Sequence, residues 1–376
     1  MNRFLIACGG TGGHLAPGIA LGEALVAAGH HCELVISEKP VDQRLIKKYP
    51  KLTFHSSPGA PFSLGPVKGS RFLWKQTKGW LFSRRLIKNS KAEVVVGFGG
   101  FGCVGMALAS LTERAPLVLH EANRVPGRMV RFFHHLPKRI YLPSGVRLGG
   151  VDLERVRHYG LPVRKEFCRM SQAKAKKALG LDPNRKTLVI LGGSQGAQAL
   201  NEWIVDKLDV FGLEGIQVFC LSGMAKAGFD PGVMATRDGQ EIVAKFVPFS
   251  DQMPEILNAA DLVVSRAGAG TIAELVHCQT PSILVPYPFA ADNHQLANAR
   301  YIEQQGGAIL VEQDFLQDLH KEVLDTIFND WLVQKLKTNL DRMHRANTTD
   351  LIVRDLEKMA AEELRNRRLQ RLEQNL

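Results

Sequence analysis

Two glycine-rich loops, each following a short apolar run, have the clearest chemical capacity in this sequence. Gly9-Gly10-Thr11-Gly12-Gly13-His14 follows residues 3–8 and opens an amphipathic stretch. Glycine there permits positive φ and close backbone approach, and the first turn of the following helix offers N–H groups to an anion or an oxygen-rich ligand. His14 is the side chain in this loop suited to accept a proton near ambient pH. Residues 192–196 repeat the arrangement after residues 187–191, with Ser194 adding a hydroxyl donor for a phosphate. Arg164 supplies a permanent cation suited to a diphosphate. No Asp-x-Asp occurs in the chain, so a metal clamp has no evident ligands, and backbone dipoles with Arg164 would carry the diphosphate charge.

Positioning these groups requires strands that end at the loops. Residues 3–8, 32–37, 94–97 and 116–120 read as strands, with a helix over 15–28 and another from about Cys103. The pattern restarts with strands at 187–191, 216–221, 262–265 and 282–285, and helices near 271–277 and 292–304. Strands alternating with helices imply parallel sheets covered on both faces. Two strand–glycine loop–helix openings about one domain apart imply two doubly wound, Rossmann-like α/β domains. The expected division is 1–162, 163–345 and a charged C-terminal helix over 346–376 that packs back toward the first domain. Gly160-Leu161-Pro162-Val163-Arg164 supplies the linker.

The chain has 376 residues, enough for two cores. Its six cysteines are scattered without C-x-x-C or zinc spacing, which points to a reducing cytoplasm and no structural metal. The uncharged stretch 94–111 is long enough to raise a membrane span, but glycines at its centre make a buried strand, a loop and a helix the better reading. A net charge of +11 calls for an anionic partner or surface. The first loop also keeps an NAD(P)-dependent oxidoreductase in view, since Glu38 lies where a ribose-binding acid would sit, although Leu15 occupies the third glycine position of a dinucleotide fingerprint.

Several motifs in order sharpen this reading: residues 9–14, 97–101, His120-Glu121-Ala122-Asn123, 160–164, 192–197, 265–274 and 292–299. Together they resemble the peptidoglycan N-acetylglucosaminyltransferases that convert undecaprenyl-diphosphoryl-MurNAc-pentapeptide (lipid I) to lipid II. The resemblance implies a GT-B fold, two Rossmann-like domains facing a cleft, and metal-independent, cofactor-free transfer from UDP-GlcNAc with inversion. It implies that Thr11, Gly12, Gly13, His14 and Asn123 face the sugar and acceptor, with His14 the candidate base and Glu121 the alternative. Arg164 and Ser194 would contact the diphosphate, with Thr271 nearby at a helix N-terminus. Glu274 would bind the ribose, and the loop containing Ser250 would receive uracil. His294 and Gln295 would read the sugar hydroxyls. Phe101, Ala122, Leu161 and His294 stand where that family most often has Tyr, Gln, Asn and Gln. A second reading is a transferase of the same fold with a different lipid acceptor.

Residues 62–91, from Phe62 to Lys91, contain eight Lys or Arg and no acid, interleaved with Phe72, Trp74, Trp80 and Phe82. A basic aromatic helix suits an anionic bilayer, and a lipid-linked acceptor favours that reading over nucleic acid. A solvated helix with its aromatics in the core is the bland alternative. The expected location is peripheral, on the cytoplasmic face of the cell membrane.

Overall fold

The computed structural model describes residues 1–9, 12–38, 43, 45–57, 66–100, 102–192, 197–223, 230–345 and 347–374, with backbone alone at 12, 66–73, 367, 370–371 and 374. The chain divides into two units, Met1–Arg164 with Ala346–Leu376, and Lys165–Arg345.

The first unit is built on seven strands: β1 (Arg3–Ala7), β2 (His31–Ile36), β3 (Thr53–Ser56), β4 (Val94–Gly97), β5 (Leu117–His120), β6 (Arg139–Tyr141) and β7 (Val156–Arg157). Their order is β3-β2-β1-β4-β5-β6-β7, and every pairing is parallel. Val94-Val95-Val96-Gly97 is buried throughout, as a parallel strand covered on both faces must be. On one face the Gly12–Ala27 helix shares a core with Ile352, Leu356 and Ala360 of the C-terminal helix, Thr348–Gln374. On the other, helices Pro66–Ser90 and Gly102–Thr112 pack over Leu5, Val95 and Leu117. These two helices meet at glycine: a Cβ on Gly105 would stand 2.9 Å from the carbonyl carbon of Gly79.

The second unit repeats the plan with β8 (Thr187–Leu191), β9 (Gln217–Leu221), β10 (Gly232–Ala235), β11 (Glu241–Val247), β12 (Leu262–Ser265), β13 (Ser282–Leu284) and β14 (Ile309–Leu310). The order is β10-β11-β9-β8-β12-β13-β14, parallel except for the β10/β11 hairpin at one edge. At the amino edge of this sheet, Asp261 accepts from the Thr187 amide and from buried Lys176, each at 2.8 Å.

In each sheet the direction of strand addition reverses between two parallel neighbours, β1 and β4 in the first and β8 and β12 in the second. The carboxyl ends of strands at such a point form the ligand crevice of open α/β sheets. Sequence periodicity leaves β3, β6, β7, β14, the β10/β11 hairpin and the helices Leu319–Ile327 and Asp330–Met343 unmarked. The helix expected to start at Asp292 begins at His294, because Asp292 and Asn293 both take left-handed conformations, with φ of 53° and 52°.

The C-terminal helix is part of the first core rather than an appendage. Leu356→Ala removes a side chain with no exposed surface and is expected to cost about 2–5 kcal/mol in urea denaturation followed on the first unit. Leu364→Ala, two turns further on and 37% exposed, should cost well under half as much. Equal losses would mean that the helix is not held by this face.

Candidate active site

In the first unit, the loops after β1 and β4 come together because side chains are missing. A Cβ on Gly9 would lie 2.3 Å from the Ser37 amide nitrogen, and one on Gly102 would lie 3.0 Å from the Gly9 carbonyl oxygen. Gly99 and Gly100 have φ of +92° and +74° and hold the His14 ring; a Cβ on Gly100 would stand 3.2 Å from its Nδ1. Half-buried His14 therefore stands on the first turn of the Gly12–Ala27 helix, braced by the β4 loop, with exposed Gly13 before it. Thr11 and Phe101 lie outside the described residues.

The loop after β5 is organised by Glu121. Its buried carboxylate accepts from the Asn123 amide N–H at 2.8 Å, the Asn123 side-chain amide at 3.2 Å and the Gly127 N–H at 2.6 Å. Burial pushes its pKa up and these hydrogen bonds pull it back, the burial being the larger effect. Glu121 thus fixes the orientation of Asn123. Ala122 beside it is half-buried.

His120, at the end of β5, is 1% exposed and stacks on Phe98 with ring centroids 5.0 Å apart. Its Nε2–H donates to the Gly160 carbonyl at 3.1 Å, leaving Nδ1 as a buried acceptor without a partner. Burial, opposed by the Gly160 bond and aided by nearby His14, pushes its pKa down to about 4. A Cβ on Gly160 would itself stand 3.2 Å from the Thr348 hydroxyl, so His120 touches the strand-to-linker segment where the C-terminal helix returns. Half-buried Leu161 packs against the same core. Arg164 closes this unit: it is buried and donates from Nη1 to the Tyr49 hydroxyl at 3.2 Å.

In the second unit, Ser194 and its loop lie outside the described residues. The loop after β12 leads to the Ala269–Cys278 helix, capped by Gly268, with Thr271 in its first turn. Glu274 stands in the second turn of this helix, which begins at Ala269, two residues before the start expected near 271. Both side chains are half-buried. Ser250 follows β11, and its hydroxyl accepts from the Gln252 N–H at 3.1 Å. Gln295 Oε1 accepts from the Tyr287 N–H at 2.9 Å, and His294 Nδ1 donates to the Ala291 carbonyl at 2.8 Å.

Two residues to which the sequence reading gave no role hold this edge together. Buried Arg266 donates to the carbonyls of Val285 and Pro286, both at 3.2 Å, and to Gln313 at 2.6 Å. Asn298 donates to the Ala267 carbonyl at 3.2 Å. The signal for Arg266 was its place directly after a buried strand, where a guanidinium must find acceptors. Among the described residues, no group of three His, Cys, Asp or Glu side chains is placed to hold a metal, and no helix is long and apolar enough to cross a membrane.

Two open sheets, each with glycine-bearing loops at its strand reversal, define a two-domain Rossmann-type protein equipped for a nucleotide-linked ligand. Models of the glycosyltransferase family 28 N-terminal and C-terminal domains match residues 4–142 and 187–353. A relative from Opitutus terrae, named UDP-N-acetylglucosamine--N-acetylmuramyl-(pentapeptide) pyrophosphoryl-undecaprenol N-acetylglucosamine transferase, is 50% identical over 96% of this chain and 95% of its own. One of the same name from Allorhizobium ampelinum is 34% identical over 89% of this chain and 88% of its own. The crystal structure of Acinetobacter baumannii MurG matches with a TM-score of 0.69 at 22% identity, over 95% of this chain and 99% of that one. The chain belongs to glycosyltransferase family 28 and has the two-domain GT-B fold.

The depressed His120 pKa has a measurable consequence. The unfolded chain binds a proton at this residue below pH about 6.5, whereas the folded one does so only below about 4. Folded protein binds fewer protons within that window, so stability falls as pH drops through it, by about 3 kcal/mol from this group alone. The stability difference between wild type and His120→Gln should therefore narrow on going from pH 7 to pH 4. A constant difference would show that His120 is not held neutral.

Proposed function

We propose that this protein transfers GlcNAc from UDP-GlcNAc to the C4 hydroxyl of MurNAc in undecaprenyl-diphosphoryl-MurNAc-pentapeptide, forming lipid II. The observation that carries this reading is the 50% identity along almost the whole of both chains to a relative named for that transfer. Fold alone would not suffice, because a UDP-N-acetylglucosamine 2-epimerase from Listeria monocytogenes matches with a TM-score of 0.67 at 12% identity. Family membership selects the transferase over the oxidoreductase built on the first loop.

In this reading the second unit holds the donor. The N-terminus of the Ala269–Cys278 helix, with Thr271, faces the diphosphate, where the positive end of the helix dipole favours it. Arg164 and Ser194 add donors to the same group. Glu274 accepts from the ribose hydroxyls, the Ser250 loop receives uracil, and His294 with Gln295 meets the sugar hydroxyls. The first unit holds the acceptor. His14 takes the proton of the attacking hydroxyl as its oxygen bonds to C1, and Glu121 acts only by holding Asn123. The C1–O bond to the diphosphate breaks on the opposite side, and UDP leaves with the electron pair. No metal takes part in this scheme, so backbone dipoles and fixed cations bear the developing charge.

The Pro66–Ser90 helix supplies the membrane contact at the cytoplasmic face. Trp74, Lys78, Leu81 and Arg85 lie on one outward stripe, with Trp74 58% exposed and the Lys78 ammonium 3.6 Å from its ring centroid. Trp80 and Phe82 instead pack against the core. Phe62 and residues 63–65 lie outside the described residues.

The direct test is transfer of labelled GlcNAc to a short-chain lipid I analogue without added metal. Wild type should form product; tight UDP binding without product would move the search to another lipid acceptor. Glu274→Ala should raise the KM for UDP-GlcNAc by about 10–100-fold, in keeping with loss of hydrogen bonds to a carboxylate. Unchanged donor kinetics would remove Glu274 from the site. Separately, the protein should cosediment with phosphatidylglycerol vesicles and much less with phosphatidylcholine vesicles. Trp74→Ala with Leu81→Ala should weaken that binding without altering UDP affinity, and unaltered cosedimentation would rule this helix out as the contact.

A further inference from the structure

The loop after β13 exposes two large aromatic side chains beside the residues expected to read the sugar. Tyr287 is 44% exposed and Phe289 79%, and their rings meet edge to face with centroids 5.6 Å apart. Two exposed rings in mutual contact, next to polar side chains on the same loop, form a surface that a ligand with an apolar face can cover.

This loop is firmly built. The Tyr287 ring lies 5.5 Å from the buried Arg266 guanidinium, which is itself anchored by two carbonyls and Gln313. Two backbone hydrogen bonds, Ala290 N–H to the Tyr287 carbonyl at 3.1 Å and Asn293 N–H to the Ala290 carbonyl at 2.9 Å, fold the segment into successive turns. The left-handed Asp292 and Asn293 then bring the chain back so that Gln295 bonds the Tyr287 N–H. The aromatic pair and the polar readers are thus tied to one another by a direct hydrogen bond.

We propose that Tyr287 and Phe289 form an aromatic platform for the C–H-bearing face of the donor's pyranose, while His294 and Gln295 engage its hydroxyls. A pyranose chair presents hydroxyls around its edge and axial C–H groups on its face. A site that reads both needs polar groups and an aromatic surface side by side, and this loop carries both within nine residues. The platform deepens the UDP-GlcNAc reading and rests on it.

The test compares UDP with UDP-GlcNAc by calorimetry on the full chain, since UDP lacks the pyranose. In Phe289→Ala and Tyr287→Ala the Kd for UDP should stay within about twofold of wild type, which shows that the uracil, ribose and diphosphate contacts are intact. The ratio of the UDP-GlcNAc Kd to the UDP Kd should rise about tenfold, the scale of one lost aromatic contact. Phe289→Tyr should restore the wild-type ratio and Phe289→Leu should not, because the face of the ring makes the contact. An unchanged ratio in both alanine variants overturns the platform. So does a raised KM for the lipid acceptor with donor constants untouched, which would assign the rings to the acceptor. Wild type that binds UDP but not UDP-GlcNAc would overturn the donor reading itself, and the platform with it.

Discussion

At the carboxyl edge of β1 the backbone of Gly9 passes so close to Ile36 and Ser37 that a Cβ would stand 2.3 Å from the Ser37 nitrogen and 2.5 Å from the Ile36 carbonyl carbon. Nearby atoms are main chain, so no side-chain movement relieves the clash. The same crowding recurs where Gly102 meets the Gly9 carbonyl and where Gly18, inside the following helix, lies against Cys8. These approaches bring the first helix and the β4 loop to the same point, and they set the position of His14. Replace the glycines and the strand ends separate; His14 then loses the surface of Gly99 and Gly100 that limits its ring. Geometry at this site is therefore a matter of excluded volume before it is one of charge.

Buried polar groups then fix the loops through hydrogen bonds within the protein. Glu121 spends its carboxylate on three N–H groups of its own loop, and His120 spends its only N–H on Gly160. Arg266 gives its donors to carbonyls and Gln313, and Asn298 gives its amide to Ala267. Each would be costly if left unpaired, so each constrains a loop that would otherwise sample many conformations. Such residues resemble catalytic ones in a sequence because both are polar groups in apolar surroundings. The distinction lies in where their hydrogen bonds go.

That distinction explains which parts were legible from the amino-acid order. Strands β1, β4, β8 and β12 announce themselves as apolar runs ending in glycine, and they are the strands that bear the loops. Edge strands such as β3, with Thr53-Phe54-His55-Ser56, carry polar residues on half-buried faces and have no period to detect in four residues. The aromatics of the basic helix were visible, yet not their division between core and solvent, since Trp74 and Trp80 differ only in the side of the helix they occupy. The place of Glu274 depended on where its helix begins, a boundary that Gly268 determines but that composition leaves two residues uncertain in either direction. The state of His120 was beyond reach, because it follows from complete burial in the folded core, and its one N–H partner is a carbonyl forty residues away.

His294 shows how a departure from a common pattern changes chemistry without discarding it. A side-chain amide carries a donor and an acceptor and can turn either outward. An imidazole whose Nδ1–H is committed to the Ala291 carbonyl has a single remaining ring nitrogen, Nε2, which in the neutral form accepts. Gln295 is constrained the opposite way, for its oxygen takes the Tyr287 N–H and its NH2 remains to donate. The two neighbours therefore present opposite polarities in fixed positions. A hydroxyl that meets Nε2 has to donate, and one that meets the Gln295 amide has to accept. Adjacent hydroxyls of a sugar satisfy both at once, whereas a ligand offering only acceptors satisfies one. Under the proposed donor reading, His in place of an amide at this position would narrow the set of acceptable ligands by removing a rotation, not by removing a contact.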